Sequence, residues 1–372
     1  MRVAHLVQFF EPTYTGGIQR YVGELARRQS DLGIDVTVLT VALPARYKGA
    51  VSQQHAERWH NHNSALRIIR REAWAVRQRT PIYPMLHSDI RQLRAEVIHL
   101  HVPSPLFEFS LLLAPRCNGR LVLTVHNSFP CTTLWHRWLG RVGRRLLHTT
   151  LDKAEAIIAP HVRFMEALLP ARVLVRLEPR LIIIAPGVDR NVFQPRALAR
   201  SAQTVLFVAH LRPEKGLHVL IEAMKRLPGL HLQVMVSVSY EASYYQDVRR
   251  LAEATLGARV SFVLDPEPQA LSDAYNQAAC VVVPSLSVES WNLVLLEAAQ
   301  CGAACVVTDI PGLAWADFAV RAPVGDAAGL ARAIRSALGR REQLGARARE
   351  SASRYSWERT CEETLAVYQA LT

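Results

Sequence analysis

Lysine is nearly missing from this 372-residue chain: four of its 44 basic side chains, at positions 48, 153, 215 and 225, are lysines. An ammonium is therefore an exception here, and Lys215 stands between an apolar strand and a helical pattern rather than on an ordinary surface helix. Long apolar runs are missing too. None approaches the roughly 18 residues that cross a bilayer, and the opening Met1 to Val7 reads as a first strand, without the longer apolar core and cleavage site of a signal peptide. A cytoplasmic protein is expected. The six cysteines, at 117, 131, 280, 301, 305 and 361, lack paired metal-ligand spacing, and several sit in apolar stretches. Free thiols are expected, with neither a zinc site nor a disulfide framework. No Gly-x-Gly-x-x-Gly occurs, which counts against a dinucleotide-dependent oxidoreductase. Low-complexity tracts are absent as well.

What is present is an alternation of strands and helices. The length exceeds what one core organises, so two domains of about 170 to 190 residues are expected. Strands are read at 3–10, 35–40, 97–101, 121–126, 156–159 and 181–185, with a helix over 18–32. A basic segment over 45–95 is read as helices of unassigned position. After a linker, Pro186 to Gln203, strands occur at 204–209, 231–237, 259–264, 280–283 and 304–307, and Trp357 to Leu371 reads as a last helix. The fold class is α/β: two doubly wound, Rossmann-like domains, residues 1–190 and 191–356, with a terminal segment over 357–372. Ligand is expected in a central crevice that the two domains face, where strand ends and helix N-termini converge.

Two pieces of the second half carry chemistry. Strand 204–209 runs into His210, Leu211, Arg212, Pro213, Glu214, Lys215 and Gly216, and a helix begins at once. Lys215 thus lies by a helix start, where free amides and the helix dipole already favour an anion. Strand 280–283 leads through Ser285, Glu289, Ser290, Trp291 and Asn292 into a helix read as starting near Trp291 and stopping at Gly302, with Glu297 about two turns in. Two carboxylates at different depths suit hydroxyls on two rings, a hexose and a ribose, with a diphosphate at the helix N-terminus between them. Singly, each piece also fits a plain structural role: a solvated turn lysine, a dipole-favoured acid, a helix surface acid. In the first half Gly16 and Gly17 open a helix after the first strand, allowing close backbone approach or simply a turn. His126 ends strand 121–126, as a ligand contact or a buried structural histidine. His99 and His101 are weaker candidates for an acceptor side.

In order and spacing these stretches resemble the retaining GT-B glycosyltransferases of family 4, the group 1 glycosyl transferases. The matching pieces run from Gly16 and Gly17 through Thr124 to His126, Ala185 to Asp189 with Phe193 and Pro195, Pro213 to Gly216 and Pro284 to Gly302, ending at Tyr355 to Trp357. The resemblance implies transfer of a hexose from a nucleotide-diphosphate sugar, UDP- or GDP-linked, to a glycan or lipid-linked acceptor, as in bacterial surface polysaccharide assembly. It implies that the amino-terminal half binds the acceptor, that the carboxyl-terminal half binds the donor, and that the last helix crosses back onto the first domain. His126, Lys215 and Glu289 are its catalytic candidates. Gly16, Gly17, Arg212, Lys215, Glu289, Ser290, Trp291, Asn292, Leu293 and Glu297 are its donor-binding ones. With no Asp-x-Asp motif present, neither metal nor cofactor is expected, the leaving charge falling to Lys215 and the amides around Trp291 to Leu293.

Three departures from the family pattern stand out. Ala209-His210-Leu211 replaces Gly-Arg-Leu, so a diphosphate-binding arginine is lost unless Arg212 substitutes. Glu289-Ser290-Trp291-Asn292 replaces Glu-x-Phe-Gly, with Asn292 expected to tolerate unusual backbone angles. Leu313, Ala314, Trp315 and Ala316 stand where an acidic residue often comes after Gly312. These departures leave open a degenerate, non-catalytic glycan-binding relative, and an epimerase or phosphorylase of the same two-domain form also remains.

Charge is uneven. Residues 1–190 hold 26 Lys and Arg against 14 Asp and Glu, whereas the remainder balances at 18 of each. An anionic partner for the first half is expected: a lipid diphosphate, an acidic glycan or a membrane face. Nucleic acid is not, for want of a recognisable module. Wound as a helix, residues 134–148 place Trp135, Trp138, Leu139, Val142 and Leu146 opposite Arg137, Arg141, Arg144, Arg145 and His148. Such a face suits peripheral contact with the inner side of the membrane, or packing on a sheet. The basic stretch Arg67 to Arg79 around Trp74 reads the same two ways.

Overall fold

A computed structural model describes residues 1–10, 16–42, 66–77, 80–113, 119–127, 134–237 and 242–372. The chain divides into two compact units, Met1–Ala185 with Trp357–Thr372, and Pro186–Ser356.

The first unit is built on a seven-stranded parallel sheet. Its strands are β1 (Arg2–Leu6), β2 (Asp35–Ala42), β3 (Leu66–Glu72), β6 (Val97–Val102), β7 (Arg120–Val125), β8 (Ala156–Ala159) and β9 (Leu181–Ile183), in the spatial order β3-β2-β1-β6-β7-β8-β9. Helices cover both faces of the central strands: β6 and β8 are buried at every residue, and two histidines interrupt the apolar run of β6. The helix Gly17–Asp31 lies in this unit, and so does the last helix, Trp357–Leu371. Trp357 packs edge-on to Tyr21 with ring centroids 5.6 Å apart, and the Thr360 hydroxyl donates to the Ala185 carbonyl at 2.9 Å.

The segment read as helical at 45–95 is different. Its part over 43–65 lies outside the described residues. The chain then forms β3, an antiparallel hairpin of β4 (Ala75–Arg77) and β5 (Thr80–Ile82), and a short helix, Leu86–Gln92. Ile68 and Ile69 favour a strand, and Arg67, Arg70 and Glu72 are exposed along the sheet's edge, where charge discourages further pairing. Over its described residues the Arg67 to Arg79 stretch is therefore no amphipathic helix, and Trp74 is exposed beside the hairpin.

The amphipathic segment does form a helix, Leu134–Lys153. The side chains of Trp135, Arg137, Trp138, Leu139, Arg141, Val142 and Arg144 lie outside the described residues. In its second half Leu147 and Leu151 are buried, Leu146 is half-buried and Arg145 is exposed, so that part packs on its own unit.

The second unit carries a six-stranded parallel sheet. Its strands are β10 (Thr204–His210), β11 (His231–Ser237), β12 (Val260–Leu264), β13 (Cys280–Val283), β14 (Cys305–Thr308) and β15 (Val320–Ala322), in the spatial order β12-β11-β10-β13-β14-β15. In order of appearance these strands run 3-2-1-4-5-6, the doubly wound order whose direction of growth reverses between the first and fourth strands. Here that reversal lies between β10 and β13, so the loops after those two strands flank it. Among the described cysteines, Cys280, Cys301, Cys305 and Cys361 are free and buried, and burial pushes their thiols up.

Candidate functional site

The loop after β10 tightens into a single 3-10 turn, Pro213–Lys215, which Gly216 ends at φ 73° before the helix Leu217–Met224 begins. Two constraints fix a glycine at 216. Its φ is left-handed, and a Cβ there would lie 2.0 Å from the Pro284 carbonyl oxygen at the end of β13. The Leu286 amide donates to the Glu214 carbonyl at 2.8 Å, so the loops after β10 and β13 are joined backbone to backbone.

That junction brings the two charged side chains together. The Lys215 ammonium donates to Glu289 Oε1 at 2.7 Å, and the Ser285 hydroxyl donates to the same oxygen at 2.6 Å. Glu289 is the more buried partner, 12% exposed against 27% for Lys215. The end of β14 and the loop after it close on the segment that carries Ser285 and Glu289. The Thr308 hydroxyl donates to the Ser285 carbonyl at 2.6 Å, and a Cβ on Gly312 would fall 1.5 Å from the Glu289 carbonyl oxygen.

The helix carrying Glu297 is Leu293–Gln300, starting two residues later than expected because Asn292 is its N-cap. Asn292 holds φ −108° and ψ 100°, ordinary extended backbone, and its Oδ1 accepts from the Leu295 amide at 2.9 Å. Its value here is capping, not tolerance of unusual angles. The amides of Leu293 and Val294 remain outside the helix ladder, an anion-binding geometry. Glu297 is buried, and the Tyr275 hydroxyl donates to its Oε2 at 3.0 Å. Ser290 lies in the same loop, half-buried. Trp291 is stacked on Trp315, centroids 4.3 Å apart and planes 12° apart, with Tyr355 edge-on to both. Two of the departures, the Trp291 substitution and the Leu313 to Ala316 segment, thus meet in one aromatic contact.

Arg212 makes a 3.6 Å ion pair with Glu214. His210 is pushed down to about 4 by burial and by the nearby charges of Lys215 and Arg212. It is neutral at pH 7 and cannot replace a cationic arginine.

In the first unit Gly16 is the N-cap of helix Gly17–Asp31, at φ −170° and ψ 177°, with its carbonyl accepting from Arg20. Any residue adopts that backbone, so the glycine pair supplies openness rather than a required conformation. His126, just past β7, belongs to a histidine cluster that sequence reading does not assemble. His5, His99 and His101 are fully buried, from β1 and β6, and burial holds all four rings below the ordinary histidine range, His5 at about 4 and His126 at about 3. His5, His99 and His101 have ligand atoms within 4.8 Å of one another. Each ring nitrogen of the three is already hydrogen-bonded, however, to Gln29, Tyr368, Thr124 or another histidine. The cluster is a hydrogen-bonded network, and His99 and His101 have no ring nitrogen left for an acceptor. The in-register pairing of His5 with His99 across β1 and β6 is the one sequence-level signal, visible only with the strand order known.

The profile of the family described as Glycosyltransferase Family 4 matches residues 15–192, and that of Glycosyl transferases group 1 matches residues 189–354. The chain belongs to the group 1 glycosyltransferases. Among curated relatives, a D-inositol 3-phosphate glycosyltransferase of Kribbella flavida is 28% identical across 96% of this chain and 91% of its own. One of Geodermatophilus obscurus is 35% identical over 51% of this chain and 47% of its own. The chain thus spans about half the length of several of these relatives. A sucrose-phosphate synthase from Thermosynechococcus elongatus superposes with TM-score 0.80 at 21% identity, covering 100% of this chain and 98% of that one. Anabaena HepE, solved with UDP and glucose, superposes with TM-score 0.78 at 15% identity over 100% of both. These likenesses establish the GT-B fold.

Two outcomes are expected. Gly312→Ala forces the Glu289 loop away and destabilises the second unit by roughly 1–3 kcal/mol, the usual range for overpacking, read by denaturant unfolding. His5, His99 and His101 have folded pKa values below their unfolded value, so protons bind preferentially to the unfolded chain. Stability is fully present above about pH 6.5 and is lost as pH falls toward 4, each ring adding roughly 1.4 kcal/mol per pH unit to the slope. A triple His→Gln variant that still folds should flatten that slope in urea titrations between pH 6.5 and 4.

Proposed function

We propose that this group 1 glycosyltransferase moves a hexose from a nucleotide-diphosphate sugar to an acceptor hydroxyl with retention at the anomeric carbon. The observation that carries the proposal is the Lys215–Glu289 pair, held between two joined loops at the topological switch point of the second sheet. As the bond from the anomeric carbon to the diphosphate oxygen breaks, positive character grows on the sugar and negative charge on the leaving group. Lys215, with the amides of Leu293 and Val294, stabilises that charge. The acceptor oxygen bonds to the anomeric carbon from the face the diphosphate leaves, and its proton passes to the departing phosphate oxygen.

Glu289 accepts hydrogen bonds from sugar hydroxyls, and Glu297, set by Tyr275, holds the ribose. His126 binds a sugar hydroxyl. Gly16 and Gly17 let the backbone approach the donor, while Arg212 supplies the charge that His210 lacks. Ser290 and Trp291 line the loop, and Asn292 keeps the helix amides aimed. The donor reading needs neither metal nor cofactor.

UDP is the favoured nucleotide, because HepE, of the same fold, was crystallised with UDP and with UDP-glucose. For the acceptor, the excess charge of residues 1–190 favours an anion. The curated relatives are named for D-inositol 3-phosphate, so a phosphorylated polyol joins the glycan or lipid-linked acceptor among anionic candidates. Among the described residues no helix is long and apolar enough to cross a membrane. A lipid-linked acceptor in surface polysaccharide assembly would be met peripherally, from the cytoplasmic side, through the basic charge of residues 1–190. The retained Lys215, Glu289 and Glu297 speak against a non-catalytic glycan binder.

Calorimetric titration of UDP and GDP into the purified protein tests the donor site. UDP is expected to bind at micromolar Kd, with affinity falling at least tenfold in Lys215→Ala and Glu297→Ala. Absence of binding by either nucleotide would overturn the reading.

A further inference from the structure

Inside the first unit three side chains form a line of hydrogen bonds that ends on His126. Gln29 Oε1 lies 2.8 Å from His5 Nε2, His5 Nδ1 lies 3.0 Å from His101 Nε2, and His101 Nδ1 lies 2.9 Å from His126 Nε2. The links come from the helix Gly17–Asp31, β1, β6 and the end of β7, so the sheet's own register sets their spacing. Gln29, His5 and His101 are essentially inaccessible to water. The imidazole planes run nearly parallel, 20° apart from His5 to His101 and 29° apart from His101 to His126.

A neutral imidazole carries one N–H and one bare nitrogen, so each ring that donates on one side must accept on the other. Direction therefore propagates along the line once one end is set. Gln29 sets it, because its carbonyl oxygen only accepts. His5 Nε2–H donates to Gln29, which leaves His5 Nδ1 to accept from His101 Nε2–H. His101 Nδ1 then accepts from His126 Nε2–H. His99 does not interrupt the line, since its Nδ1 and Nε2 are engaged by the Tyr368 and Thr124 hydroxyls, at 2.5 and 2.6 Å. Among the described residues nothing bonds His126 Nδ1.

We propose that Gln29, His5 and His101 are positioning residues that lock His126 in its Nε2–H tautomer, so that it offers substrate a bare Nδ1 lone pair. The bare nitrogen is an acceptor for a hydroxyl proton, a complement to a sugar hydroxyl and a mismatch to a carbonyl or a phosphate oxygen. A four-residue line thus carries a choice made by a buried amide to a ring at the strand's end. The assignment of the tautomer rests on this structure alone; its use on a sugar hydroxyl rests on the proposed donor reading.

The test is two-bond proton–nitrogen NMR of the histidine side chains in the full chain, with His126 assigned through His126→Gln. The wild-type spectrum should show His126 Nε2 as pyrrole-like and Nδ1 as pyridine-like at pH 7.5. An Nδ1–H or averaged pattern would overturn the proposal without any variant being made. Gln29→Met removes the terminal acceptor at similar volume, and His126 should then become a mixture of tautomers; a single Nε2–H form persisting there would also overturn it. UDP calorimetry on the same samples keeps the two ideas apart. UDP binding with the wrong tautomer sinks the relay and spares the donor site, while the right tautomer without UDP binding does the reverse.

Discussion

The approach of three loop backbones at the carboxyl edge of the second sheet is the constraint on which the candidate site depends. Gly216 lets the loop after β10 touch the end of β13, and Gly312 lets the loop after β14 touch the carbonyl of Glu289. Neither contact admits a Cβ. Because the backbones meet, the ammonium of Lys215 and the carboxylate of Glu289 are held within 2.7 Å although 74 residues separate them in sequence. A parallel sheet with helices on both faces leaves strand ends and helix starts together at one edge, and the reversal of strand order opens a gap between two of them. Short-range glycine chemistry and long-range topology thus converge on one place.

Electrostatics in the two units is arranged by opposite means. In the second unit a cation and an anion are paired, partly exposed, and joined by a serine hydroxyl. On the proposed reading, an arriving diphosphate takes over the ammonium while the carboxylate turns to neutral hydroxyls. In the histidine cluster of the first unit charge is excluded. Four imidazoles lie within one network, and burial keeps them neutral, since protonating one would place an unsolvated cation beside its neighbours. Neutral rings transmit hydrogen-bond direction, which charged rings, donating at both nitrogens, cannot do.

Much of this is legible in the amino-acid sequence. Strands β8, β11 and β13 read at their observed bounds because each is a short apolar run between clear breaks, and Lys215, Glu289 and Glu297 stand out by their place after strands. Where reading fails, the cause is non-local. Strand β3 reads as helix because an arginine-rich edge strand has the composition of a surface helix; only pairing with β2 decides it. The stack of Trp291 on Trp315 joins two departures from the family pattern that look independent in sequence. The roles of Gly312 and of Ser285 come from loop packing, and His5 gains its partners only through strand order. Asn292 stands out in sequence for the wrong property, since capping and left-handed tolerance share the same residue type.

The most direct measurement is a crystal structure of the chain grown with UDP. The account predicts the diphosphate against the amides of Leu293 and Val294 with Lys215 Nζ turned from Glu289 toward a phosphate oxygen, and the ribose hydroxyls on Glu297. A nucleotide bound elsewhere, or one bound there with the Lys215–Glu289 pair intact, would contradict it.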